Sequence, residues 1–181
     1  MRKEQVVFIG NFLVGSGKLY VGDPCYARHQ HNHWVTVLDN AENGVWGASV
    51  AKVDFGNWGI RNGVLMCACI NDNPKVKKWT TKLGVIGVDG GAVCVFDKKH
   101  VIGRPKTKYE AWYDMVSEAY LHIKDCHFKG AGCLEHGVVS SSGLGDGVYD
   151  LKIGYDASNK VIAVPVNFAR RIGEAGQTRG W

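Results

Sequence analysis

Val85-Ile86-Gly87-Val88-Asp89-Gly90-Gly91-Ala92-Val93-Cys94-Val95-Phe96 decides the fold class, because two short apolar runs meet there at an Asp-Gly-Gly corner. Each run is too short for a helix, valine suits a pleated surface, and the corner residues tolerate positive φ. A hairpin between residues 85–88 and 92–96 is therefore expected. The same pattern of short runs bounded by Gly, Asn and Asp recurs on both sides. It marks strands at 6–9, 18–21, 34–38, 46–55 and 64–70, then at 137–140, 148–155 and 161–168. Residues 64–70 are apolar throughout, which predicts a central strand covered on both faces. Asp156-Ala157-Ser158-Asn159 predicts the turn of a terminal hairpin. Pro165 has no N–H to donate, so the last strand is expected at a sheet edge or with a bulge.

One segment has a different period. Trp112, Met115, Val116, Ala119, Tyr120 and Ile123 fall on one stripe of a helix, expected over about residues 108–124. That stripe needs a sheet to cover. Residues 126–135 read as an irregular loop. The fold class is α+β: a mostly antiparallel sheet or sandwich with one main amphipathic helix. A single domain is expected over residues 1–168, without internal repeat, followed by a basic, mobile tail at 169–181.

Composition agrees. The chain has 181 residues, and 24 glycines against 4 prolines suit many tight turns. Its 45% hydrophobic and 22% charged residues exclude disordered and fibrous classes. A net charge of +5 attracts nucleotides, nucleic acid or acidic proteins without choosing among them. Met1-Arg2-Lys3 is followed at once by Glu4, and Gly10-Asn11 interrupts the apolar run, so no signal peptide is expected. No run approaches the about 18 apolar residues of a membrane span. The expectation is a cytoplasmic protein without membrane contact, whose 6 cysteines are reduced thiols.

Candidate sites follow from local patterns. Gly15-Ser16-Gly17-Lys18 resembles part of a phosphate loop, but Phe12 stands where the first glycine belongs and Leu19 where a hydroxyl belongs. It reads as a turn before a strand. Gly143-Leu144-Gly145-Asp146-Gly147 is the densest glycine cluster, and the amides of such a loop can converge on an anion. Gly143, Gly145, Asp146 and Gly147, with Lys18, are the candidate ligand-binding residues, although tight turns use the same residue types. Asp23, Asp89 and Asp146 are candidate catalytic carboxylates for metal-assisted hydrolysis. His29, His31 and His33 would share one face of an extended segment, and Cys126, Cys133 and His136 form a second set of metal-ligand types. Neither set has a closed zinc spacing. No cofactor is expected, with zinc or another divalent metal as the alternative. Cys67 and Cys69 read as small apolar core residues. Trp46, Trp58, Trp79, Trp181, Tyr20 and Tyr26 are candidate stacking surfaces for bases if they lie outside the core.

Three segments carry a resemblance: Ser16-Gly17-Lys18-Leu19-Tyr20-Val21-Gly22-Asp23-Pro24-Cys25-Tyr26, then Gly87 to Asp97, then Ser142 through Gly154-Tyr155-Asp156 to Phe168. Together they resemble the uncharacterised domain-of-unknown-function 4241 family and small phage proteins with a similar opening. The resemblance covers about a third of the chain. It implies a compact β-rich domain in which Asp23-Pro24, Asp89-Gly90 and Gly145-Asp146-Gly147 are family features, and it brings no activity. The phage-like character implies an accessory protein acting on a host component, such as a defence protein or a charged signalling molecule. The expected function is thus a non-enzymatic binding protein for an anionic, nucleotide-like small molecule or an acidic protein. The alternatives are a metal-dependent phosphoester or nucleotide hydrolase and a nucleic-acid-binding protein, and a homo-oligomer is compatible with each.

Overall fold

Alternating burial along the strands produces two antiparallel sheets that share one apolar interior. The structure is a computed structural model that describes residues 5–29, 33–71, 74–80, 84–121 and 130–171. In chain order the elements are β1 (Gln5–Val14), β2 (Lys18–Gly22), β3 (Thr36–Asp39), β4 (Gly44–Asp54), β5 (Ile60–Cys69), β6 (Lys78–Trp79), β7 (Gly84–Val88) and β8 (Ala92–Asp97). Helix α1 (Lys106–Leu121) follows, then β9 (Ala131–Leu134), β10 (Gly137–Ser141), β11 (Gly147–Leu151), β12 (Gly154–Tyr155) and β13 (Val161–Arg171). The larger sheet has the order β1-β4-β5-β13-β11-β7, with β12 and β6 continuing beside β13. The smaller sheet has the order β3-β2-β8-β10-β9.

The main core lies between the sheets. Phe12, Trp46, Val50, Leu65, Ile86, Tyr149, Leu151 and Phe168 from the larger sheet meet Leu19, Val21, Val93, Val95 and Val138 from the smaller one. Helix α1 covers the outer face of the smaller sheet, where Tyr109, Trp112 and Val116 pack on Tyr20, Cys94, Phe96 and Val139. Trp112 stands edge-on to Phe96, with ring centroids 5.6 Å apart. The expected helix and its covering sheet are therefore present, the helix starting two residues earlier. Its described end is Leu121, and Ile123 lies outside the described residues.

Several expectations need correction. The Asp89-Gly90-Gly91 corner closes no hairpin: β7 pairs with β11 in the larger sheet, whereas β8 pairs with β2 and β10 in the smaller. The corner carries the chain from one sheet to the other. The doubly covered strand is β8, every residue of which is buried, and not residues 64–70. On β5, Met66 is 44% exposed while Leu65 and Cys67 are buried, because α1 covers the opposite side of the molecule. β13 is an inner strand between β5 and β11, and register shifts interrupt its pairing with β11 and β12. Pro165 lies opposite the break between those two partners, where Lys152 N donates to its carbonyl at 3.1 Å. The loop expected at 126–135 contains β9, and β13 continues through Ala169 to Arg171, so the domain extends past residue 168. The remainder of the expected tail lies outside the described residues. The terminal hairpin is present, with Asp156 Oδ1 accepting from Ser158 N and Lys160 N.

Trp112→Ala should destabilise the protein by about 3–5 kcal/mol in urea unfolding, because it empties the helix–sheet contact. Met115→Ala, on the same helix but 43% exposed, should change stability by less than about 1 kcal/mol. Equal losses would contradict the docking of α1 described above.

Candidate functional site

Two buried aspartates tie the central pair of the smaller sheet together. β2 and β8 run antiparallel, with Leu19 opposite Asp97 and Gly22 opposite Cys94. Asp23 follows β2, and its carboxylate accepts from Asp89 N at 2.8 Å and Gly90 N at 2.6 Å, in the turn that enters β8. Asp97 ends β8, and its carboxylate accepts from Gly15 N at 2.6 Å and Ser16 N at 3.0 Å, in the turn that enters β2. Each aspartate also caps the short helical turn after it, Asp23 through Cys25 N and Asp97 through Lys99 N. Ser16 Oγ donates to Asp97 as well. The arrangement is reciprocal, since each strand ends in a carboxylate that holds the turn leading into the other. Glycine suits the close approach at Gly90, where a Cβ would stand 3.1 Å from Asp23 Oδ1. Burial alone would raise the Asp97 carboxyl, but the four hydrogen bonds it accepts outweigh burial and hold it below the usual aspartate range.

The turn fixed by Asp23 forms one wall of a cleft of about 180 Å³ lined by Lys52, Ile60, Arg61, Asn62, Gly91, Ser141, Gly143 and Gly145. Its opposite wall is the β4–β5 hairpin, where pairing slips from Ala51 opposite Val64 to Lys52 opposite Asn62. Gly63 is the extra residue of this bulge, and the slip turns Asn62 inward. Asn62 is buried. Its Nδ2 lies within hydrogen-bond distance of Gly130 O at 3.0 Å, Ser140 Oγ at 3.0 Å and Ser141 Oγ at 3.2 Å, while its Oδ1 accepts from Lys52 Nζ at 2.6 Å. This network joins the two sheets at the cleft. Burial lowers the Lys52 ammonium from its ordinary value.

Arg61 spans the mouth. Its Nε donates to Trp58 O at 2.8 Å and its Nη1 to Gly143 O at 3.3 Å, so the guanidinium links the hairpin tip to the glycine loop. Gly143 has φ +62 and admits no side chain, because a Cβ would stand 2.2 Å from Asn62 O. Ser142 Oγ and Tyr149 Oη both donate to Gly145 O, at 2.7 and 2.5 Å, which fixes the far side of the loop.

The sequence candidates divide. Gly143 and Gly145 line the cleft, and Gly147 starts β11 beside it. Asp146 binds Gly91 N at 3.1 Å and is not among the cleft residues. Lys18 lies at the opposite end of β2, paired with Asp39 at 2.7 Å, so the fold does not bring it to the glycine loop. Asp23, Asp89 and Asp146 do gather around one turn, but Asp23 gives both oxygens to backbone amides and Asp89 accepts from Tyr26 Oη at 2.6 Å. Burial first, then the Asp23 charge, pushes the nearby Cys25 thiol well above its usual range. His29 caps a helical turn and His33 sits in a separate turn against Trp34, so these two do not share an extended strand; His31 lies outside the described residues. Cys133 is half-buried on β9, its thiol pushed up to about 12 by burial, and His136 stacks on His100 with centroids 3.5 Å apart. Cys126 lies outside the described residues. Among the described residues no three His, Cys, Asp or Glu side chains form a metal-holding group. Cys67 and Cys69 are buried, as expected.

Lys52, Arg61 and Asn62 were not legible as site residues. The available signal is that Lys52 continues the phase of Ala48 and Val50, which places a charge on a core-facing row. Among the described residues no helix is long and apolar enough to cross a membrane. Comparison with protein-family models, with curated proteins and with solved structures yields no match to the chain.

Asp97 supplies a test with a definite sign. Its carboxyl is lower in the folded than in the unfolded state, so its stabilisation is complete above the ordinary aspartate range and lost as pH falls through the folded value. Asp97→Asn should cost about 2 kcal/mol at neutral pH and should flatten the loss of stability towards about pH 3, both read by urea unfolding. An acid dependence identical to that of the parent protein would contradict this role.

Proposed function

We propose that the protein binds a small phosphate-bearing anion in the cleft between the β4–β5 hairpin and the glycine loop. The observation that carries this reading is Arg61, a guanidinium anchored by Trp58 O and Gly143 O at the mouth of a polar cavity. Of five guanidinium N–H donors, two are committed to these carbonyls, and the planar fork matches the oxygens of a phosphate or carboxylate. Lys52 adds a second cation whose charged form is disfavoured by partial burial. An anion beside it would favour the charged form and so offset the lowering by burial.

Size favours a small ligand over nucleic acid. A cleft of about 180 Å³ is smaller than the about 300–1,000 Å³ of sites that enclose a drug-sized molecule. It suits one anionic head group, whereas nucleic acid needs a track of cations along its backbone. The hydrolase reading has less support, because Asp23 commits its oxygens to the backbone and Asp146 to Gly91.

Calorimetric titration with inorganic phosphate at low salt tests the reading. Arg61→Gln and Lys52→Gln should each weaken binding by about tenfold or more, the scale of a charge-assisted hydrogen bond. Lys18→Gln should leave binding unchanged. Equal effects of all three substitutions would reduce the attraction to net charge and contradict a cleft.

A further inference from the structure

The β4–β5 hairpin carries a feature that anion binding alone leaves unexplained. Trp58 is 60% exposed and Ile60 is 73% exposed, beside an arginine that both lines the cleft and lies 5.6 Å from the Trp58 ring centroid. The other described tryptophans named as stacking candidates are placed differently. Trp46 is buried in the core with its Nε1 on Glu42 O, and Trp79 packs over Gly154 in the larger sheet. Trp58, in contrast, contacts Arg61, which lines the cleft.

We infer that the ligand is a nucleotide, its phosphate held by Arg61 and Lys52 inside the cleft and its base stacked on the exposed face of Trp58. The inference rests on the anion reading above and names the ligand class of the same site. A cavity of about 180 Å³ holds the anionic head and leaves the rest of the molecule outside, over the hairpin tip. The surface waiting there is an indole face and the side chain of Ile60, which suits a flat ring better than a second charge. Arg61 joins the two halves of the site. Its Nε bond to Trp58 O fixes the hairpin tip and its Nη1 bond to Gly143 O fixes the phosphate wall, so ring and cation are held at a set separation. Every base has a π-face, so this platform selects a nucleotide without choosing the base.

The experiment compares AMP, ribose 5-phosphate and inorganic phosphate by calorimetry on the full chain and on its Trp58→Ala, Trp58→Phe and Arg61→Gln variants. Trp58 is exposed, so its variants should unfold at the same urea concentration as the parent. In the parent protein AMP should bind about tenfold more tightly than ribose 5-phosphate. Trp58→Ala should abolish that advantage while inorganic phosphate still binds, Trp58→Phe should retain part of it, and Arg61→Gln should weaken all three ligands. Equal affinity of the parent for AMP and ribose 5-phosphate would overturn the nucleotide inference and leave the anion reading standing. An AMP advantage that survives Trp58→Ala would overturn it as well, since the base would then sit elsewhere. If none of the three ligands binds the folded parent protein, both readings fall.

Discussion

The smaller sheet depends on two carboxylates that each hold the turn entering the other's strand. Asp23 and Asp97 are almost completely buried, and a buried charge is tolerated only where hydrogen bonds replace its water. Here backbone amides do so: Asp89, Gly90 and Cys25 for Asp23, with Gly15, Ser16 and Lys99 for Asp97. The consequence is geometric. β2 and β8 are fixed at both ends, and the Asp89-Gly90-Gly91 turn, which passes from one sheet to the other, has no freedom to close as a hairpin.

The fixed turn then separates two chemical environments. On one side Asp23, Asp89 and Asp146 gather near Cys25 and Tyr26, and the carboxylates satisfy the turn's own donors. On the other side Gly91 faces the cleft, across from Lys52 and Arg61. The bulge at Gly63 completes that side by turning Asn62 inward, where its amide joins β5 to β10 and its oxygen receives Lys52. Backbone irregularities thus sit where the two sheets open, and each places a polar group that regular pairing would have pointed elsewhere.

Much of the fold was legible because local periodicity is a local property. The stripe Trp112, Met115, Val116 and Ala119 predicts the helix, and alternation bounded by glycine predicts the strands. Sheet membership was not legible. Residues 64–70 and 92–96 are equally apolar, and only the position of α1 decides that the second run is covered on both faces. The Asp-Gly-Gly corner supports a hairpin or a sheet-to-sheet crossing equally well, and the choice is made by Asp23, 66 residues earlier. The reciprocal clamp was missed for the same reason. Gly15 and Ser16 precede Asp23 by the same spacings as Asp89 and Gly90 precede Asp97, a correspondence too short to register as a repeat. Gly143 and Gly145 of the glycine loop line the cleft, but the cations opposite them come from a hairpin more than 80 residues away in sequence, where Lys52 and Arg61 look like the charges of any solvated tip.

On the reading proposed above, these constraints hold a preformed anion cleft between Gly91, the glycine loop and Arg61. An amide NMR titration with inorganic phosphate tests it most directly, because it reports where the anion sits and whether the backbone rearranges. Shifts should be confined to Gly91, Ser141, Gly143, Gly145 and the Arg61 side chain, with both sheets undisturbed. Shifts centred on Lys75, Lys77 and Lys78 or on Lys98 and Lys99, or spread through both sheets, would contradict it.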